Sequence, residues 1–310
     1  MKNRIWALLL VLALVLGLSA SAFAAAPEGR ECSVSLEYQD NEDDSPIVGA
    51  KFELYLFALR TDSGYELCGD FADKPISLEK LDAEAMKTLA STLGGIIALE
   101  GIKPLAEGVT DEAGKLSFAG LEEGLYMLRG QSHYQNKKTY NVNPSVFGLP
   151  AWDPAAGAWI YDLELNPKAE GVPDHEPEYI KREVLKVWRD GEGEQRPNEV
   201  KVHLIRDGEV YDSAVLSAAN GWSHVWDDLE DNHVWTLTEE VPVGYTVTVT
   251  QEGVTFVVTN TAPYTPPPPP PPPPDIPQTG QLWWPVPVLA AAGLMLFAAG
   301  FVRSRRKYEE

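Results

Sequence analysis

The chain has 310 residues, of which 25 are Lys or Arg and 46 are Asp or Glu, giving a formal net charge of −21. So acidic a balance argues against a nucleic-acid partner, whose phosphates need a cationic surface. With 44% hydrophobic residues and nine Trp the bulk of the chain can build cores instead of remaining disordered, and the length suits two domains.

Residues 1–24 place Lys2 and Arg4 before an apolar run from Ile5 to Leu18 and small residues ending in Ala22-Phe23-Ala24. That is the layout of a secretory signal peptide, and the run is too short to span a bilayer. Export makes Cys32 and Cys68, the only cysteines, an expected disulfide, because thiols outside the cell tend to oxidise.

Residues 31–169 read as a first module of strands separated by turns: Ser33 to Tyr38, Ala50 to Leu59, Lys115 to Phe118, Leu125 to Arg129, and Trp159 to Leu165. One helix interrupts them near Leu81 to Leu93, where Leu81, Ala85, Leu89 and Leu93 recur every four residues. Residues 170–177, rich in Pro, Gly and charge, read as a linker. Residues 178–262 are all strand and turn: Val200 to Ile205 alternates, Asp207-Gly208 is a hairpin turn, and Tyr245 to Thr250 alternates again. The expectation is an all-β chain of two β-sandwich modules in tandem, the first with a short inserted helix.

Residues 263–275 hold nine consecutive prolines, Pro266 to Pro274, which form no hydrogen-bonded ladder and favour a polyproline II stalk of about 28 Å. Residues 276–310 begin with Ile276-Pro277-Gln278-Thr279-Gly280. An uncharged apolar stretch, 282–302, follows, and then Arg303, Arg305, Arg306 and Lys307. The stretch is long enough for a transmembrane helix in a precursor, with the cations held in the cytoplasm.

Several of these segments resemble known families. Pentapeptide, apolar span and basic tail resemble the LPXTG cell-wall sorting signal of Gram-positive surface proteins, with Ile276 in place of Leu. The resemblance implies a sortase that cuts between Thr279 and Gly280 and joins Thr279 to an amine of peptidoglycan or of another subunit. The product would be secreted and wall-anchored, its precursor only transiently in the membrane.

In the second module, Lys186-Val-Trp188, Asn220-Gly221-Trp222, Trp235 to Glu239, Pro242-Val-Gly244-Tyr245 and Thr259-Asn260-Thr261 resemble the collagen-adhesin B-type (Cna B-type) domain. The resemblance implies a transthyretin-like, Ig-like sandwich cross-linked by a spontaneous isopeptide bond between Lys186 and Asn260, with Glu239 as the assisting acid. The chemistry makes its own demands. Lys186 must shed its proton among aromatic groups such as Trp188 and Trp222, and Glu239 must stay protonated to act on the Asn260 amide. Glu239 would act once, on its own chain, so no turnover enzyme is expected.

The first module, through Pro46 to Tyr55, Thr110 to Gly114 and Gly120 to Tyr126, resembles SpaA-type pilin modules. Val34 to Tyr38 offers no first-strand lysine and Arg129 stands where the acid belongs, so no isopeptide bond is expected there. Trp159, Leu163, Leu165, Pro167 and Lys168 look like the pilin motif, which implies that Lys168 accepts the sortase-activated threonine of the next subunit.

No metal or cofactor is expected: the five histidines lack ligand spacing, and Asp40 to Asp44 is followed by Ser45 and Lys51 where a calcium loop needs Gly and Glu. The expected role is a pilus (fimbrial) subunit or surface stalk whose partners are a sortase, peptidoglycan and other pilin subunits. The alternatives are an adhesin for a host or matrix ligand, which uses the same modules, and a single-pass membrane-tethered receptor, which would keep everything from Gly280 onward.

Overall fold

The computed structural model describes residues 30–167, 169–191, 196–263 and 285–306. The expected signal peptide, Lys168, almost all of the expected proline stalk and Ile276 to Gly280 lie outside these residues. One compact unit comprises everything up to Pro263, and the remainder forms a second.

The first module runs β1 (Cys32–Glu37), β2 (Lys51–Thr61), β3 (Gly64–Leu67), α1 (Ala83–Glu100), β4 (Ala106–Val109), β5 (Lys115–Leu121), β6 (Gly124–Gly130), β7 (His133–Gln135), β8 (Lys138–Tyr140), β9 (Ser145–Leu149), β10 (Ala151–Asp153), β11 (Ala158–Ile160), β12 (Asp162–Leu165) and β13 (Gly171–Pro173). The order β12-β1-β5 forms one sheet, and β3-β2-β6-β9, with β4 also on β2, forms the other. Alternation sends Val34 and Leu36 of β1 against Phe52 and Leu54 of β2 and Tyr126 and Leu128 of β6, which makes the sandwich core.

The second sheet is buried on both faces. Tyr55 and Phe57 of β2 and Leu125 and Met127 of β6 point the other way, onto Leu89, Leu93, Ile96 and Ile97 of α1. This explains why Lys51–Thr61 reads as a nearly continuous apolar run instead of an alternating one. Asp82 caps α1 by accepting a hydrogen bond from the Ala85 N–H, and Gly101, at φ 64°, ends it in the left-handed conformation that glycine tolerates. The helix is thus longer than the periodicity from Leu81 to Leu93 predicts.

Gly171–Pro173, inside the stretch expected as a linker, pairs as β13 with Tyr140 to Lys138 of β8. The expected disulfide is not made: Cys32 and Cys68 are free thiols. Cys32 is buried at the start of β1 with its Sγ toward the Arg30 carbonyl, whereas Cys68 follows β3 in the other sheet, its N–H on the Phe57 carbonyl.

The second module comprises β14 (Tyr179–Arg189), β15 (Glu199–Arg206), β16 (Glu209–Ser217), β17 (Ser223–Glu230), β18 (Trp235–Glu239), β19 (Thr246–Glu252) and β20 (Thr255–Thr261). Its sheets are β17-β14-β20-β19 and β16-β15-β18, closed over Val184, Val202, Leu204, Leu216, Leu237 and Val258. The first and last strands, β14 and β20, lie side by side and parallel.

The modules touch along α1. Val249 donates its N–H to Thr92 Oγ1 at 3.0 Å, and Val247 donates its N–H to the Pro75 carbonyl at 2.8 Å. Gly208, at φ +91° in the β15–β16 turn, sits so close under Arg129 of β6 that any side chain there would overlap the guanidinium.

The C-terminal unit contains one described helix, Pro285–Arg306, whose large apolar side chains, such as Leu289 and Phe297, are exposed. Among the described residues no helix is long and apolar enough to cross a membrane. The expected span 282–302 begins in residues that are not described.

Candidate functional site

Strand alternation builds the site. On β14, Val184, Lys186 and Trp188 turn inward while Leu185 faces solvent; on β20, Phe256, Val258 and Asn260 turn inward. The parallel register sets Trp188 opposite Asn260 and Lys186 opposite Val258. Lys186 and Asn260 are therefore diagonal neighbours on one inner face, within reach of a lysine side chain. Glu239 enters from the facing sheet, at the end of β18, where Trp235 and Leu237 share its inward face.

The three side chains meet. Lys186 Nζ lies 3.1 Å from Glu239 Oε2, and the Asn260 amide donates to Glu239 Oε1 at 2.6 Å. The Lys186 and Glu239 side chains are wholly shielded from solvent and Asn260 is 0% exposed. Nζ lies off the line that a good hydrogen bond to Oε2 requires, so Oε2 has no hydrogen-bond partner, nor does Asn260 Oδ1. Beside that 3.1 Å approach, Nζ donates one long hydrogen bond, 3.4 Å, to the Val258 carbonyl.

Two buried, poorly solvated ions are costly, and each group responds by favouring its neutral form. Burial pushes the Lys186 ammonium down to about 8, against the opposing pull of Glu239. Burial likewise pushes the Glu239 carboxyl up, in spite of Lys186 and the Asn260 hydrogen bond. The amine and the acid thus approach the protonation states that amide formation needs.

Aromatic side chains line the open end. The Trp188 ring lies 4.4 Å from Nζ and makes edge contacts with Trp222 at 5.3 Å and Tyr245 at 5.2 Å. Arg196 also lies over the Trp188 ring, at 5.3 Å, and pairs with Asp190 through Nε at 2.9 Å, while Tyr245 donates to Asp190 at 3.1 Å. Reading the sequence picks out Trp188 and Trp222 but misses the closure by Asp190, Arg196 and Tyr245. A hint lies in Asp190 and Arg196, which bracket a run rich in Gly and Glu shortly after Trp188.

Elsewhere the charged side chains among the described residues form hydrogen-bonded pairs and small networks. The acidic turn at Asp40 is organised by Lys138 at 2.9 Å and Tyr140 at 2.6 Å. Glu53 of β2 accepts from Tyr55 at 2.9 Å and Gln131 at 2.8 Å, with Arg129 at 3.8 Å. Among the described residues no cluster of His, Cys, Asp or Glu is arranged to hold a metal ion.

Residues 182–261 match the family model of the Cna protein B-type domain. The second module is a Cna B-type domain. Around it, several solved structures overlay loosely on the chain. A B repeat unit of the collagen-binding surface protein of Staphylococcus aureus is 17% identical, with 76% of this chain and 99% of that one covered at a TM-score of 0.26. The shaft pilin SpaA of Lactobacillus rhamnosus GG is 13% identical, with 77% and 100% covered at 0.28. The major pilin SpaD of Corynebacterium diphtheriae is 14% identical, with 75% and 64% covered at 0.31. Overlaps this loose do not bear on what the chain does. Among curated proteins none matches it. The B-type domain here begins on β14 and ends on β20, so Lys186, Glu239 and Asn260 all fall inside the matched residues.

Proposed function

We propose that the chain is a surface structural protein of the pilin kind, whose Cna B-type domain is locked by an amide bond between Lys186 and Asn260. The observation that carries the proposal is the buried triad: an amine, a carboxyl and a carboxamide brought together where neither charge is well solvated. Neutral Lys186 Nζ attacks Asn260 Cγ. Protonated Glu239 donates to the amide oxygen, a pose reached by turning the Asn260 amide half over; as a carboxylate it then carries a proton from Nζ to Nδ2, and it takes back the proton on oxygen as the carbonyl re-forms. The Nζ–Cγ bond forms, the Cγ–Nδ2 bond breaks, and one ammonia leaves.

The bond would join the first strand of the module to the last. Tension applied at the two ends of the module would then load a covalent link instead of peeling β14 from β20. That suits a stalk, and the proline run and sorting-type tail read from the sequence suit a sortase that would fasten Thr279 to peptidoglycan or to another subunit. Lys168 would be the acceptor of the preceding step in a pilus. An adhesin role for a host or matrix ligand remains the second reading, since the same modules serve it.

The test is the intact mass of the purified chain. The proposal expects a deficit of one ammonia that is restored in Lys186→Ala and in Glu239→Ala; a wild-type chain at its full calculated mass overturns it. For the assembly step, wall extracts should show high-mass ladders that vanish in Lys168→Ala.

A further inference from the structure

The site has a wall that its own module does not supply. Glu239 sits at the end of β18, an edge strand, and Asn260 pairs with Val247 of β19, also an edge strand. Between these two edges the sandwich would lie open to water. The helix α1, contributed by the first module, fills that gap. Its Thr92 accepts from the Val249 N–H, so one outward group of the β19 edge is closed, and the Pro75 carbonyl, in the segment leading to α1, closes the Val247 N–H.

On the β18 side the fit is tighter. Gly95 has no room to be anything larger: a methyl there would lie 2.8 Å from Thr238 Cβ and 2.9 Å from the Leu237 carbonyl oxygen. Thr238, on the outward face of β18, is 3% exposed only because α1 covers it. The next glycine, Gly94, faces its own module, where a methyl would meet only Met127 Cε at an ordinary 3.6 Å.

From this geometry we infer that α1 of the first module is a positioning element for the cross-link in the second, holding β18 and β19 so that Glu239 and Asn260 meet in a dry chamber. Gly95 is the residue on which the fit turns. The inference rests on the cross-link proposed above and adds that the first module is needed for it to form efficiently. The two modules are then a single maturation unit, not independent beads.

The test follows ammonia loss by intact mass in the full chain sampled during expression, for wild type, Gly95→Leu, Gly95→Ala and Gly94→Ala. Both alanine variants gain the same helix propensity, so helix strength cannot separate them. Gly94→Ala should react at the wild-type rate. Gly95→Leu should be slower by about tenfold or more, the change that ~1.4 kcal/mol of lost positioning produces, with Gly95→Ala between. Where Gly95→Leu does not fold, the comparison of the two alanine variants decides.

A pH profile adds a readout that a merely destabilised fold would not move. Water admitted past α1 returns Lys186 toward the ordinary lysine range, so ammonia loss in Gly95→Ala should require higher pH. Glu239, Asp190 and Arg196, the charged groups facing Lys186, are the same in every variant. Equal rates and equal profiles in all variants overturn the role of α1 while leaving the cross-link standing; a wild-type chain that keeps its ammonia overturns the cross-link and the inference with it.

Discussion

Val249, on the edge strand of the B-type domain, gives its backbone N–H to the side-chain hydroxyl of Thr92, a helix residue 157 positions earlier in the chain, at 3.0 Å. Thr92 in turn donates to the Thr88 carbonyl at 2.9 Å and is 2% exposed. Thr92→Val keeps the shape but leaves the Val249 N–H buried without a partner. The expected cost is about 1–3 kcal/mol in denaturant unfolding, with amide exchange at Val249 accelerating before exchange at Val258 in the interior of the same sheet. Unchanged Val249 protection would mean that the helix does not hold this edge.

The proposed cross-link should carry a large share of the stability of the second module. It would enclose residues 186 to 260, and the loop-entropy argument used for disulfides gives roughly 4 to 5 kcal/mol for a loop of this size. Lys186→Ala should therefore lower the melting temperature of the B-type domain far more than a surface Lys→Ala such as at Lys181. A similar melting temperature for both would deny the bond its structural role.

Acid should find the first module through Asp40. Hydrogen bonds from Tyr140, the Glu42 backbone and Lys138, in that order, hold its carboxyl down to about 2. A carboxylate whose pKa is depressed on folding stabilises above its unfolded value, near 4, and that stabilisation is lost as pH falls through about 2. Melting temperature should thus decline between pH 4 and 2 less steeply in Asp40→Asn than in wild type, though Asp40→Asn starts lower at neutral pH. Parallel declines would show that Asp40 is not the titrating group.

Much of this was legible in the sequence, and the exceptions share a cause. Lys186, Glu239 and Asn260 stand out through the motif around them, whereas strand alternation leaves the face of Lys186 ambiguous because Leu185 and Val187 are apolar too. The inserted helix is recognisable at Leu89 and Leu93, but its last turns are not, because the four-residue apolar spacing ends at Leu93, just before Gly94-Gly95. It continues because tertiary packing on two sides overrides the glycine penalty of about 1 kcal/mol per residue. Helical periodicity assumes one buried stripe; here Leu93, Ile96 and Ile97 face one module while Thr92 and Gly95 face the other. The cysteine pair misleads for a related reason: compartment favours oxidation, but pairing depends on how the fold orients the two thiols, which spacing along the chain does not encode. Lys138 and Asp40 form an ion pair across 98 residues, again a partnership of folded neighbours.

Pulling the chain from its two ends in a force-extension experiment tests the account most directly. With β14 and β20 joined through Lys186 and Asn260, the 75 residues they enclose cannot extend, whereas Lys186→Ala should release about 250 Å of additional contour length, at roughly 3.3–3.6 Å per residue. Wild type and Lys186→Ala giving the same final length would contradict it.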